Sequence, residues 1–167
     1  MELLALFDKD NKSIEGYIDR KHKLDVDEGK YFKIILVFIQ NSEDKFLIQK
    51  TSINRGEEFA TTGGHVSYGD SGLYTAIKEL KEELGININS TELKLYSSIL
   101  YTKAWCECYY TKLDIDKGSL NLQKEEVESI YWVSDNDIDN LIKKNQFRKS
   151  NIEPYNNLQK ILKNKNL

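Results

Sequence analysis

The order of apolar and polar positions predicts a chain in which strands and helices are mixed. Residues 31–40 form a nearly continuous apolar run rich in Ile and Val, which is typical of a strand buried on both faces. Shorter apolar runs bounded by turn residues predict further strands, at residues 2–7, 14–19, 45–51, 59–62, 93–101, 104–113 and 129–133. The highly charged residues 20–30 are predicted to form a loop.

Three helices are predicted among and after these strands. The first can be capped by Asp70 or Ser71 and ends before Gly85, which suits the residue after a helix C-terminus. A second helix follows its cap at Ser134, and a third begins near Pro154. Strands and helices mixed in this order predict an α/β sandwich.

The first helix carries three carboxylates, Glu79, Glu82 and Glu83. With about 100° of rotation per residue, they fall within roughly 100° of one another beside an apolar stripe. Like charges at this spacing destabilise a helix, and a bound cation would offset the repulsion. Oxygen ligands suit Mg²⁺ or Mn²⁺. A solvated acidic helix face is the alternative interpretation of the three glutamates alone.

The glycine-rich entry to this helix makes the interpretation more specific. The stretch from Gly64 to Ile86 resembles the Nudix box, G-x5-E-x7-R-E-U-x-E-E-x-G-U, where U is an aliphatic residue. The fixed positions match except that Asp70 replaces Glu and Lys78 replaces Arg, and both replacements keep the charge. Lys78 cannot reproduce the bidentate geometry of arginine, which makes a slower enzyme plausible.

The resemblance to the Nudix family implies a fold, an activity and a cofactor. The expected fold is an α/β/α sandwich with a mixed sheet between helices, formed as a single domain by residues 1–167. The expected reaction is the hydrolysis of a phosphoanhydride bond in a nucleoside diphosphate linked to another moiety. Mg²⁺ or Mn²⁺ is the expected cofactor.

Site residues follow from the same resemblance by position. Glu79, Glu82 and Glu83 are the expected metal ligands, together with the backbone carbonyl of Gly63, and Glu79 and Glu82 are the catalytic carboxylates of the box. Glu79 is the first choice for the base that takes a proton from the attacking water. Further substrate-binding candidates are His65, Lys78 and Arg55.

A glutamate outside the box is expected to add a catalytic or metal-binding group. Glu107 alternates with Trp105 and Tyr109 on a predicted strand, so the three share a face. A buried carboxylate on such a face needs a partner. Glu125 or Glu126, in the loop before the next strand, is the alternative.

Two other functions stay open. Segments outside the box resemble the branch of the family related to isopentenyl-diphosphate isomerase, but Gly63 stands where that isomerase needs a catalytic cysteine. A non-catalytic nucleotide sensor with the Nudix fold is the second alternative, although such proteins usually lose the box glutamates that this chain keeps.

Composition excludes other classes of partner. The net charge is −3, and no stripe of Lys and Arg indicates a nucleic-acid groove. No apolar run is long enough to cross a membrane, and the N-terminus lacks the features of a signal peptide. We therefore expect a cytoplasmic protein that acts on a small molecule, as a monomer or homodimer. Cys106 and Cys108 are predicted to be free thiols.

Overall fold

The computed structural model describes residues 1–164 and residue 167. The strands are β1 (Leu3–Phe7), β2 (Ser13–Asp19), β3 (Phe32–Gln40), β4 (Phe46–Thr51), β5 (Phe59–Ala60), β6 (Thr62–His65), β7 (Lys94–Leu100), β8 (Ala104–Lys112) and β9 (Val127–Val133). The α-helices are α1 (Gly72–Glu79), α2 (Asp135–Lys143) and α3 (Ile152–Lys163). β1 and β2 form a separate antiparallel pair.

Strand β3 lies at the centre of the main sheet. It runs parallel to β8 along its whole length, from the pair Phe32 and Ala104 to the pair Gln40 and Lys112. It also pairs antiparallel with β6, and β7 pairs antiparallel with β8. The apolar residues of β3 are buried on both faces, as the long apolar run predicts. The predicted mixed sheet is confirmed.

The sheet divides between β3 and β4. These two strands pair only beside their connecting turn, at Gln40 and Phe46. Beyond this point β4 pairs with β5 and β9 instead, while β3 continues with β6 and β8. A gap therefore opens between β6 on one side and β4 on the other.

Helices cover both faces of the sheet. On one face, Ile35 and Val37 of β3 pack in the same buried cluster as Ala76 and Leu80 of the α1 region. On the other face, Phe38 packs with residues of α2 and α3, among them Tyr155. The result is the predicted α/β/α sandwich. In the described part of the chain, no helix has the length and apolar character needed to cross a membrane.

Three local predictions were wrong. Residues 20–25 form a 3₁₀ helix with a kink at His22, capped by the Asp19 side chain, rather than a loop. The predicted strand at residues 59–62 is two strands, and the second of them, β6, contains the glycine pair. The helix of the box is not regular up to Gly85, because α1 ends at Glu79 and continues as a π-helix over residues 80–84.

Candidate active site

Helix α1 positions the acidic residues of the box over the gap in the sheet. Ser71 caps the helix, because its side chain accepts a hydrogen bond from the backbone N–H of Tyr74. Ala76 and Leu80 are fully buried against the sheet. Burial of this stripe turns the neighbouring Glu79 and Glu83 towards the strands that border the gap.

The three carboxylates of the box differ in their exposure to solvent. Glu83 is buried, Glu79 is half-buried and Glu82 is exposed. The turn ends at Gly85, which has the left-handed φ of 72° that a C-terminal glycine adopts. The loop before β9 fixes the turn from outside, since the N–H of Gln123 donates to the carbonyl of Glu83 at 2.9 Å.

Glu83 is held by a short chain of polar side chains across the gap. Its Oε2 accepts a hydrogen bond of 3.4 Å from Gln49 of β4. The amide oxygen of Gln49 accepts another of 3.4 Å from the hydroxyl of Thr62 in β6. This chain connects the box helix with the strands on both sides of the gap and fixes the orientation of the Glu83 carboxylate.

Glu79 lies directly against the backbone of Gly64. A β-carbon built on Gly64 would lie 2.6 Å from Oε1 of Glu79, so any larger residue would displace the carboxylate. Burial raises the pKa of Glu79 to about 7, with a contribution from Glu82. Burial also raises the pKa of Glu83 to about 8, with a contribution from Glu79. The site thus concentrates negative charge that a cation would stabilise.

A cavity of about 420 Å³ is lined by Glu83 and by Gly64, the glycine that Glu79 contacts, whereas Glu79 itself is not among its described lining residues. Its walls include Glu83, Gly63, Gly64, Gln49, Thr51 and Glu126 from the box side and the neighbouring strands. Four basic side chains also line it, Arg20, Lys23, Arg55 and Arg148. Acidic and basic groups therefore face one open cleft, an arrangement that can bind a metal ion and a phosphate group together.

His65, at the end of β6, contacts the basic wall of this cavity. Its Nε2 lies 2.8 Å from Nζ of Lys23, and its ring stacks on Phe32 at 5.8 Å between centroids. Burial, followed by the charge of Lys23, lowers the pKa of His65 to about 3. The imidazole is therefore neutral at physiological pH, and Nε2 accepts the hydrogen bond from the lysine.

The donor groups of the site fit a hard divalent cation. Within residues 1–164 and 167, no group of three His, Cys, Asp or Glu side chains could hold an ion alone. Mg²⁺ commonly takes only one or two carboxylates and completes its shell with waters, carbonyls and substrate phosphates. Glu83 with Glu79 suits that mode, because burial and then the charge of a neighbouring glutamate raise the pKa of both carboxyls.

The structure brings some of the other predicted site residues together and separates Glu107 from them. Arg55 lines the cavity and forms an ion pair with Glu126. Lys78 is half-buried near Glu79, and its charge opposes part of the rise in the pKa of that carboxyl. Glu126, rather than Glu125, is the member of the loop pair that lines the cavity.

Glu107 lies in a different polar cluster. Its Oε1 accepts a hydrogen bond of 2.6 Å from Nζ of Lys33, and its Oε2 accepts one of 2.7 Å from Tyr109. Asn11 is a third neighbour, at 3.4 Å. The partner that the sequence analysis required is therefore Lys33 on the adjacent strand. Glu107 is not among the described residues that line the cavity.

Sequence reasoning missed Arg20 and Lys23. Both belong to the 3₁₀ helix that follows β2, and they lie in the segment that was predicted to be a charged loop. Their contact with the site depends on how the β1–β2 pair packs against β3 and the residues that follow β6. A local sequence pattern does not reveal this packing. A run of basic residues directly after a strand was the only signal available.

The sequence matches a known family model and curated relatives. Residues 30–155 match the family model of the NUDIX domain. An uncharacterised Nudix hydrolase of Listeria monocytogenes is 25% identical over 123 residues, which cover 71% of this chain and 73% of the relative. One of Listeria innocua is 24% identical over the same shares of the two chains.

Solved structures share the fold. A Deinococcus radiodurans protein has a TM-score of 0.70 at 17% identity, with coverage of 90% of this chain and 94% of that protein. A NUDIX-family hydrolase from Clostridium perfringens has a TM-score of 0.56 at 18% identity, with coverage of 77% and 97%. At these identities the likeness concerns the fold alone.

Proposed function

The chain belongs to the Nudix family of hydrolases, and on this premise we propose that it is a divalent-metal-dependent pyrophosphohydrolase. Its substrate would be a nucleoside diphosphate linked to another moiety, cleaved at a phosphoanhydride bond. The observation that carries the proposal is that Glu83 lines a cavity together with basic groups, and that Glu79, whose charge acts on Glu83, lies against Gly64 of the same cavity wall. Mg²⁺ or Mn²⁺ is the proposed cofactor.

Glu83 is the central metal ligand of this proposal. It is buried, faces the cavity and is oriented by Gln49. Glu79, Glu82 and the carbonyl of Gly63 complete the ligand set from the box side. When bound, the ion would neutralise phosphate oxygens and acidify a water.

The remaining chemistry belongs to the side chains of this chain. Glu79 accepts the proton of the attacking water, because its half-buried carboxylate packs against the backbone of Gly64 and stays reachable from solvent. The basic wall, which includes Arg55, orients the phosphates. Glu107 receives no catalytic role in this proposal, because Lys33 and Tyr109 already bind its two oxygens.

The isomerase alternative is disfavoured because Gly63 stands where that enzyme requires a catalytic cysteine. A β-carbon on Gly63 would lie 2.7 Å from the Leu36 side chain and 2.9 Å from the carbonyl oxygen of Ile35. A thiol could therefore not occupy this position without a shift of the strand. The sensor alternative is disfavoured because both inward-facing box glutamates are present.

The experiment is a screen of nucleoside diphosphate derivatives with and without Mg²⁺. We expect at least one substrate, cleaved only with the metal, and a loss of about 10²- to 10⁴-fold in turnover for Glu79→Gln. Glu28→Gln, at an exposed loop position, is the control and should behave as the wild type. Binding without cleavage across the panel would favour the sensor, and migration of a double bond in isopentenyl diphosphate would favour the isomerase.

Location and assembly are part of the same proposal. We place the reaction in the cytoplasm and the active unit as a monomer or homodimer, with a small molecule as the only required partner. Size-exclusion chromatography with light scattering distinguishes the two assembly states.

A further inference from the structure

We propose that Lys23, together with Arg20, forms an anion subsite that binds a phosphate group of the substrate. The two residues come from the 3₁₀ helix after β2, in a segment that precedes the matched residues 30–155. This inference deepens the proposed function and rests on it, since it assumes a phosphate-bearing substrate in the same cavity.

The first argument is the charge balance of the cavity wall. Three of its four basic side chains already have carboxylate partners within the chain, namely Arg20 with Glu2, Arg55 with Glu126 and Arg148 with Glu58. Lys23 has none within residues 1–164 and 167, and its polar contact is the neutral His65. A half-buried ammonium group without a direct carboxylate partner, next to Arg20, favours the binding of an anion, although Glu2 lies close enough to act on its charge.

The second argument is that Lys23 is held in place. Its Nζ lies 2.8 Å from His65 and 5.4 Å from the centroid of the Phe32 ring. His65 in turn stacks on Phe32. The ammonium group is therefore oriented before any ligand arrives, which reduces the entropy lost when an anion binds.

The third argument is the chemistry of the remaining wall. The other lining residues are polar, aliphatic or glycine, and the described lining contains no Phe, Tyr or Trp. The one aromatic ring among the described lining residues is the imidazole of His65, which already stacks on Phe32 and contacts Lys23. Recognition at this wall has to come from charge and hydrogen bonds, and phosphate oxygens satisfy both.

The test measures binding of inorganic tripolyphosphate in the presence of Mg²⁺ by titration calorimetry. Lys23→Ala should weaken binding about tenfold or more, because a charge-assisted hydrogen bond is lost. Mg²⁺ binding in the absence of the phosphate should stay unchanged. Lys21→Ala is the matched control, since Lys21 lies on the same 3₁₀ helix but is exposed and outside the cavity wall.

Arg20 needs its own control because it also binds Glu2 at 2.8 Å. Arg20→Ala should weaken tripolyphosphate binding, whereas Glu2→Ala, which removes the same ion pair but keeps the cation, should not. Thermal unfolding of each variant shows whether the fold is retained. Equal binding by Lys23→Ala and Lys21→Ala would overturn the proposal, and so would a wild type that does not bind tripolyphosphate.

The outcomes separate this subsite from the hydrolase proposal. A protein that binds tripolyphosphate through Lys23 but cleaves nothing in the panel retains the subsite and loses the proposed reaction. A protein that cleaves a substrate with the same KM in Lys23→Ala as in the wild type retains the reaction and loses the subsite.

Discussion

The carboxylate of Glu79 and the backbone of Gly64 are in contact, and the absence of a side chain at position 64 makes this contact possible. A β-carbon there would lie 2.6 Å from Oε1, 2.7 Å from Cδ and 2.8 Å from Cγ of Glu79. All three atoms belong to a flexible side chain, which can move aside. Substitution at Gly64 should therefore affect the position of the carboxylate more than the fold.

Gly64→Ala tests this relationship. We expect metal affinity and turnover to fall at least about tenfold, since a misplacement of about 1 Å at a reacting group can cost far more, while the thermal midpoint changes little. Calorimetry with Mg²⁺ and the hydrolysis assay measure the two effects. Gly118→Ala is the control, because its β-carbon would meet only Asp116 at 3.4 Å. Full activity in Gly64→Ala would contradict the assigned role of Glu79.

The raised pKa values of Glu79 and Glu83 predict a specific pH dependence for the metal-free protein. Both values, about 7 and about 8, lie above the ordinary value of 4.5. Between the ordinary and the raised values, the folded state holds protons that the unfolded state has already lost. Stability from this source is therefore greatest at low pH and falls as the pH rises through this window.

Metal binding should show the opposite trend, because Mg²⁺ must displace these protons. We expect Mg²⁺ affinity to rise from about pH 6 to about pH 8 and then to level off. Calorimetry in buffers of different ionisation enthalpy reports the released protons directly. The double variant Glu79→Gln and Glu83→Gln should bind weakly without this trend. A pH-independent affinity in the wild type would show that the two carboxyls do not hold the ion.

A substitution of Glu107 distinguishes a role in folding stability from a role in catalysis. Its side chain and that of Lys33 are almost fully buried, with 10% and 5% exposed. Glu107→Gln leaves the lysine charge without its carboxylate partner, which should cost about 3–5 kcal/mol of folding free energy. Chemical denaturation measures this loss, and turnover per folded molecule should stay near the wild-type value.

The matched control for Glu107 is the double variant Lys33→Met with Glu107→Gln, which removes both charges. It should be less destabilised than the sum of the two single variants, because neither charge is left unpaired. A stable Glu107→Gln variant with strongly reduced turnover would instead restore the catalytic role that the sequence pattern suggested.

The π-helical turn ends at Gly85, and a substitution of this glycine tests the role of the turn. Gly85 has a φ of 72°, and a β-carbon there would lie 3.1 Å from the backbone nitrogen of Asn121. Gly85→Ala should cost about 1–2 kcal/mol for the left-handed conformation alone, and it should also lower activity because the turn orients Glu83. Gly69→Ala, with a φ of 89° and no atom within 4 Å, has the strain without the contact. Equal activity in both variants would contradict a role for the turn.

Much of the site could be predicted because its acidic residues lie in one continuous stretch. The spacing from Gly64 to Gly85 is a local property, and it identified Glu79 and Glu83 together with the helix that carries them. The π-helical turn could not be predicted, since no local spacing reports its contacts with a distant loop, where the N–H groups of Gln123 and Asn121 donate to the carbonyls of Glu83 and Leu84. The spacing also does not report that Glu82 is exposed while Glu83 is buried, although Glu82 stays close enough to raise the pKa of Glu79.

The long-range contacts were the least predictable part. Alternation on β8 indicated that Glu107 needs a partner, but the identity of Lys33 depends on the register between β3 and β8. The position of Lys23 depends on the packing of the β1–β2 pair against β6. In both cases the sequence carries the charged residue, while tertiary packing decides what it faces.

The divided sheet has a mechanical consequence for the protein. Strand β4 forms one wall of the cavity, and β6 with the segment that carries Lys23 forms the other. Strands β3 and β4 are paired at a single position only. A substrate that contacts both walls would connect the two halves of the sheet across the gap between β6 and β4. Amide exchange should then slow in both cavity walls when ligand is bound. In the free enzyme, these two walls would be less rigid than in the complex.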